Sequence, residues 1–392
     1  MKSLVVRRSV HKMSSTISIP PTHRALWLSE IGKPLIIIER PVPQPETGTV
    51  IIKVLASIIE GGLKSILENK FGGLHCPVPF TPGGRAVGRV VAIGSDTTTL
   101  NIGQLVLTEP FVRGRDNTSI QFVWGAGVFG NNLATIKLSR DVWRDGTCAE
   151  YARSPLENTH ALDEALLLGS PTTGGLGYNF ANIPYISRAL VPYGGFRGIN
   201  LQAGETVIVA PATGGSTYAA VEVAIAMGAN VIAVGRNLSK LQKVESLSPS
   251  GRVRIYHLQD DPKIDVPALK AFGVIDAFLD LSPYVANEST HVGSCMLAVR
   301  NYGRVSLMGV LTKDINLPYA MAVHNNLTIQ GKYMYERSDV KGIIKLVESG
   351  RLKLGKHAGH EVLEFKLDDF DDAVEAAAKS PGMGHFVVMT PL

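Results

Sequence analysis

The apolar positions of this 392-residue chain follow two different rhythms. From His23 they come in short runs at Ala25 to Leu28, Leu35 to Glu39 and Val50 to Leu55, cut by glycines and by Pro41, Pro43 and Pro45. Short alternating or apolar runs between turn formers predict β-strands, and their density predicts a small all-β domain. Gly83 to Gly94 reads as a glycine-punctuated strand, Gly103 to Leu107 begins another, and Gly146 to Tyr151 closes the domain. Between them, residues 109 to 146 form a long connection holding Phe111, Phe122, Trp124, Phe129 and Trp143. Long loops are often functional, so these aromatics are candidates to line a substrate pocket, with packed ornament as the alternative.

From Asp163 the rhythm changes. A mainly helical connection to Leu190 leads into apolar runs at Val207 to Val209, Val231 to Val234, Val253 to His257, Val274 to Leu281, Arg304 to Val310 and Leu327 to Gly331. Helical periodicity over Ala219 to Met227, Ser239 to Glu245, Val292 to Val299 and Ser338 to Ser349 separates or follows them. Strands alternating with helices at this spacing predict a parallel, doubly wound sheet, so the fold class is α/β. After Ser349 the chain returns to short strands around a helix at Phe370 to Ala378.

The chemistry concentrates in Glu205 to Asn237, which reads as strand, tight turn, helix, strand. Such a unit leaves free amides and partial positive charge at the helix N-terminus, where a dinucleotide pyrophosphate is the usual occupant. On an A-x-x-G-x-x-G frame the turn runs through Thr213, Gly214, Gly215, Ser216 and Thr217, so its last glycine is threonine. Thr217 and Tyr218 either donate hydroxyls to a phosphate or narrow the pocket. The alternative is a structural α/β unit without a ligand. At the end of the second strand an acid would hold a ribose 2′-hydroxyl, whereas a cation accommodates a 2′-phosphate. Here stand Arg236 and, a turn later, Lys240, which point to NADPH over NADH; a solvated basic helix start is the competing explanation.

Composition narrows the picture. With 45% hydrophobic and 19% charged residues and no apolar run long enough to cross a bilayer, a globular protein without a membrane span is expected. The net charge of +5 is matched by Lys2, Arg7, Arg8, Lys12 and Arg24, in a stretch without acids. The remaining chain is neutral, so no nucleic-acid partner is expected. The three dispersed cysteines, Cys76, Cys148 and Cys295, fit a reducing, cytoplasmic setting. The basic, Ser-rich first residues leave mitochondrial targeting open, against a plain disordered extension.

These parts together resemble the medium-chain dehydrogenase/reductase superfamily from about residue 23 onward. The residues that carry the resemblance are Gly83 to Gly88 followed by VVAIGSD, the run WRDGTCAEY, the unit VIVAPATG, LVESGRLKLG, and FDDAVEAA before GHFVVM. The resemblance implies a tail over residues 1–22, a GroES-like β-barrel-type domain over 23–160 with 340–392, and a Rossmann domain over 161–339. It is closest to zinc-free fungal members found with natural-product pathways. Where zinc-dependent members carry G-H-E-x-x-G, this chain has Gly83, Gly84, Arg85, Ala86, Val87 and Gly88; the early Cys ligand is missing from LASIIEGGLKS, and three cysteines cannot form a four-Cys zinc loop. A catalytic zinc needs three protein ligands, so no metal is expected.

The resemblance also sets the nicotinamide near Leu281, Ser282, Met308, Gly309, Val310 and Leu311, and makes Tyr178 and Tyr333 candidate proton donors. His291 and His324 read as structural or surface residues. The expected reaction is NADPH-dependent reduction of an activated C=C bond in a small molecule such as an enone, enoyl thioester or quinone. Two other classes stay open: a redox-neutral isomerase or cyclase with an altered cofactor turn, and a non-catalytic binding protein. A homodimer through the edge strand near Leu327 to Gly331 is a further expectation.

Overall fold

The computed structural model describes residues 18–391, apart from 69, 71–73, 249–250 and 380–381. The basic tail of the first dozen residues, with its targeting question, lies outside the described residues.

The first domain is built around a long strand, β1 (Thr49–Ile59), buried along most of its length. It pairs antiparallel with β2 (Ala86–Ile93), which pairs with β3 (Leu105–Thr108). Strands β4 (Tyr151–Pro155) and β5 (Thr159–Ala161) add to β1 and β3 respectively. The connection after β3 is not a free loop. It folds into short strands and helical turns over a core of its own, formed by Val112, Phe122, Trp124, Val128 and Trp143. Four of the five aromatics singled out there are buried, while Phe129 is exposed.

The chain then crosses into the second domain through α1 (Tyr185–Gly198). Six strands follow: β6 (Thr206–Ala210), β7 (Asn230–Gly235), β8 (Val253–His257), β9 (Ala277–Asp280), β10 (Arg304–Leu307) and β11 (Thr328–Gly331). They lie in the order β8-β7-β6-β9-β10-β11, every pair parallel. Between them run α2 (Gly215–Ala226), α3 (Leu238–Ser246), α4 (Pro262–Lys270) and α5 (His291–Ala298). The parallel sheet explains why β6 is a continuous apolar run rather than an alternating one: both of its faces are covered. Val207 and Val209 enter the core with α1 and α2, whereas Ile208 and Ala210 enter the core with Phe278, Val292 and Met296. Helix α1 approaches the sheet closely at Gly195, where a Cβ would stand 2.3 Å from Met308 Sδ.

After β11 comes α6 (Arg337–Glu348), which packs on α1. The helix thus lies against α1, and the strands that rejoin the first domain follow it. There β12 (Glu361–Lys366), α7 (Phe370–Lys379) and β13 (His385–Thr390) complete the first domain, with β13 between β1 and β12. The architecture is α/β, a GroES-like β domain joined to a doubly wound parallel sheet. No described helix is long and apolar enough to cross a membrane.

Candidate active site

The site begins where β6 turns into α2. Gly214 is the N-cap, with extended backbone, and Thr217 sits three residues on. Thr217 Oγ1 accepts a hydrogen bond from the Gly214 amide at 2.7 Å and lies 3.2 Å from its carbonyl. The threonine in the last glycine's place thus spends its hydroxyl inside the turn, leaving Gly215 and Ser216 at the positive end of the helix. Tyr218 does not reach the turn's open side. It is buried in the core beside His360, and burial raises its phenol far above the ordinary tyrosine range.

Above the strand ends lies a cavity of about 1070 Å³. Its lining includes every residue expected to hold the cofactor: Thr213, Gly214, Gly215, Ser216, Thr217, Arg236, Lys240, Ser282, Gly309 and Val310. Four Arg or Lys side chains line it (Arg85, Arg236, Lys240 and Lys332), and among the described residues no carboxylate does. Such a wall favours a phosphate-rich ligand. At the outer end, Asn237 caps α3, its side chain accepting from the Lys240 amide at 2.9 Å. The cap fixes Arg236 and Lys240 on either side of one helix start, both exposed.

At the inner end the residues after β9 and β10 meet. Asp280 accepts from the amides of Ser282 and Gly309, at 3.1 and 3.2 Å. A Cβ at position 309 would lie 2.5 Å from Asp280 Oδ2, so only glycine lets the loop close on that carboxylate. Ser282 donates to Asp280 and lies 2.7 Å from His291 Nε2, while His291 Nδ1 faces Ser289 Oγ at 2.8 Å. His291 is therefore a buried anchor of the loop that also lines the cavity, whereas His324 is exposed at a helix end.

The two candidate donors part company. Tyr333 follows β11, lines the cavity beside Arg85, and rests edge-on against Phe111 with ring centroids 5.2 Å apart. Burial raises its phenol above 10.0 and the positive charge of Arg85 partly opposes this, so the hydroxyl keeps its proton at neutral pH. Tyr178 lines no part of this cavity. It is buried edge-on to His357, with the Leu354 backbone at its hydroxyl, and packs in the core behind α1 and α6. The expectation of a proton donor there does not match its place.

Sequence reasoning missed a cluster of charge at the inner end. Glu60, just past β1, is shared by Arg85 and by Arg188 of α1, at 3.0 and 3.1 Å. Burial works against ionisation of Glu60, but the two guanidiniums outweigh it and hold the carboxyl below its ordinary range. The only signal in the sequence was an arginine standing where a metal-binding relative would carry its ligand segment. A second cavity of about 160 Å³, lined by Arg85, Gly84, Leu63, Trp124 and Cys148, adjoins this cluster.

Two family models match the chain: the alcohol dehydrogenase GroES-like domain over residues 46–164 and the zinc-binding dehydrogenase domain over residues 217–349. The chain belongs to the medium-chain dehydrogenase/reductase superfamily. An NAD-dependent alcohol dehydrogenase of Saccharolobus solfataricus is 24% identical over 381 residues, covering 93% of this chain and 99% of that protein. The acryloyl-coenzyme A reductase of Metallosphaera sedula is 23% identical over 316 residues, covering 79% and 84%. Among solved structures, the alcohol dehydrogenase TADH of Thermus sp. ATN1 superposes with a TM-score of 0.74 at 20% identity, covering 94% of this chain and 99% of that one.

The second family model implies zinc, and the residues present do not fit it. Zinc wants three protein ligands among Cys, His, Asp and Glu. Among the described residues no three such side chains gather. The histidine place of the superfamily's ligand segment is Gly84, and the next residue is the cation Arg85. Nearby Cys148 is fully buried, its thiol pushed up to about 12, which disfavours the thiolate a metal would take.

Proposed function

We propose that the protein is a zinc-independent, NADPH-dependent reductase that reduces an activated C=C bond of a small molecule: an enone, an enoyl thioester or a quinone. The observation that carries this reading is the cavity wall, in which Arg236 and Lys240 flank the end of β7 and, among the described residues, no carboxylate lines the cavity. A ribose 2′-hydroxyl asks for an acid at this place and a 2′-phosphate for a cation. The Saccharolobus relative is NAD-dependent, so the preference argued here rests on this chain's own residues.

When bound, a reduced nicotinamide supplies a hydride to the β-carbon of the alkene. The protein's part is to hold and to exclude. Gly215 and Ser216 present the helix end to the pyrophosphate, and Arg236 with Lys240 meets the 2′-phosphate. The loop pinned by Asp280 fixes Ser282 and Gly309 as one wall of the reaction site. Tyr333, protonated at neutral pH and in contact with solvent, gives a proton to the α-carbon side. Conjugate reduction suits a site without a Lewis acid because the charge that develops sits on an oxygen that hydrogen-bond donors can hold. The acryloyl-coenzyme A reductase among the relatives carries out chemistry of this type by its name.

A second reading, redox-neutral catalysis on the same fold, is favoured by one observation: Thr217 occupies the Gly214 amide that the turn would offer a phosphate. Calorimetric titration of the full chain separates the two. The reductase reading expects micromolar NADPH binding with NADH at least tenfold weaker. Failure of both to bind sinks it.

A further inference from the structure

Two guanidiniums and one carboxylate meet at the inner end of the cleft. Arg85 Nη1 donates to Glu60 Oε1 and Arg188 Nη2 to Glu60 Oε2, so one positive charge in the cluster is uncompensated. All three side chains are mostly buried, and the Nε atoms of both arginines are buried without a partner. Burying an uncompensated cation is costly, and the cost falls when an anion completes the cluster. The two arginines face different ligands. Arg188 stands at the start of α2, its Nη1 3.5 Å from where a Cβ on Gly215 would lie. Arg85 lines the main cavity alongside Tyr333, Met308 and Gly309, and lines the smaller cavity behind. It is the cation on the substrate side.

We infer that Arg85 is the anion-binding residue of the substrate site and that the group it takes is a negatively charged oxygen of the alkene substrate. The inference rests on the reductase reading above and deepens it. Hydride addition at the β-carbon forms a C–H bond and moves the C=C electron pair through the α-carbon onto the carbonyl oxygen. That oxygen becomes an enolate, held by the guanidinium. The α-carbon then takes a proton from Tyr333, which is refilled from solvent, the carbonyl re-forms, and NADPH leaves oxidised as NADP+. A permanent carboxylate on the substrate would use the same guanidinium, with binding rather than chemistry as its consequence. The arrangement offers that oxygen a fixed cation, held in place through Nη1 by Glu60, and it works by a charge-assisted hydrogen bond instead of by metal coordination.

The test compares the wild-type protein with Arg85→Gln, Arg85→Lys and Glu60→Gln, on cyclohexenone as a neutral enone and acetylacrylate as an enone bearing a carboxylate. If the enolate is the ligand, Arg85→Gln lowers kcat on both compounds by about a hundredfold while NADPH binding is unchanged, and Arg85→Lys recovers part of it. If the carboxylate is the ligand, Arg85→Gln raises KM for acetylacrylate alone. In either case Glu60→Gln, which leaves both cations without their acid, tightens the binding of crotonate measured by calorimetry. This last variant moves opposite to a loss of folding, so an unfolded Arg85 variant does not stall the test. Unchanged kinetics on both enones in Arg85→Gln, with NADPH still oxidised, overturns the inference and spares the reductase. Absence of NADPH binding and turnover removes the reductase; crotonate binding that is lost in Arg85→Gln then still supports an anion site, and no crotonate binding by the wild type overturns it.

Discussion

At its outer end the cleft is made from one stretch of chain, Thr206 to Lys240, whereas its inner end gathers Glu60, Arg85, Arg188, Ser282 and Tyr333 from distant parts of the sequence. The outer end obeys local rules. A strand, a turn and a helix cap fix Arg236 and Lys240 within one unit, and any chain with this pattern would place them so. The inner end depends on two domains closing on each other. Arg188 leaves the sheet domain to reach a carboxylate of the β domain, and Tyr333 leans on Phe111 across the same junction. On the reading proposed above, the outer end selects the cofactor and the inner end carries the chemistry.

The comparison is broken most sharply at Tyr333. Tyr333→Phe removes the hydroxyl but keeps the ring on Phe111, and kcat is expected to fall by about a hundredfold with NADPH affinity intact. Because the phenol is raised above 10.0, the wild-type rate should show no tyrosine ionisation between pH 6 and 9; a rate that falls along a tyrosine titration inside that window would unseat it. Next in size is Arg236→Asp. Losing a charge-assisted contact and gaining repulsion should weaken NADPH by roughly thirtyfold, near 2 kcal/mol, while NADH changes by less than threefold. Equal losses for the two nucleotides would remove the argument for a 2′-phosphate site. The smallest effect is expected at Thr217→Gly. The hydroxyl that caps α2 is lost, which costs about 1 kcal/mol and lowers Tm by roughly 3 °C in a calorimetric scan. NADPH affinity should hold or improve, since the Gly214 amide is released; a tenfold loss would show that the threonine itself touches the cofactor.

The same contrast explains what could be read from the sequence. The parallel sheet was legible because its strands are buried on both faces, so Val207 to Ala210 and Val231 to Val234 stand out as apolar runs. The turn between β6 and α2 was legible because its residues are neighbours in the chain. Tyr178 and Tyr333 looked alike from sequence, each a tyrosine near a domain junction. Their surroundings in the fold separate them: Tyr178 is buried in the core, and Tyr333 is half-exposed on the cavity. Arg85 was visible only as the absence of a metal ligand, because its meaning comes from Arg188 and Glu60, 103 and 25 residues away. The anchoring role of His291 was not legible, for its partner Ser282 reaches it only when the loop after β9 folds back.

Strand β13 has a consequence for how the molecule comes into being. It fills the gap between β1 and β12, yet it lies more than three hundred residues after β1 along the chain. While the chain is still being made, β1 has an edge whose backbone groups wait for a partner more than three hundred residues behind it. The sheet domain, whose strands all lie within Thr206 to Gly331, can complete its own pairing first. The sheet domain is therefore finished while β1 is still open, and the cleft comes into existence only when β13 is threaded back to β1.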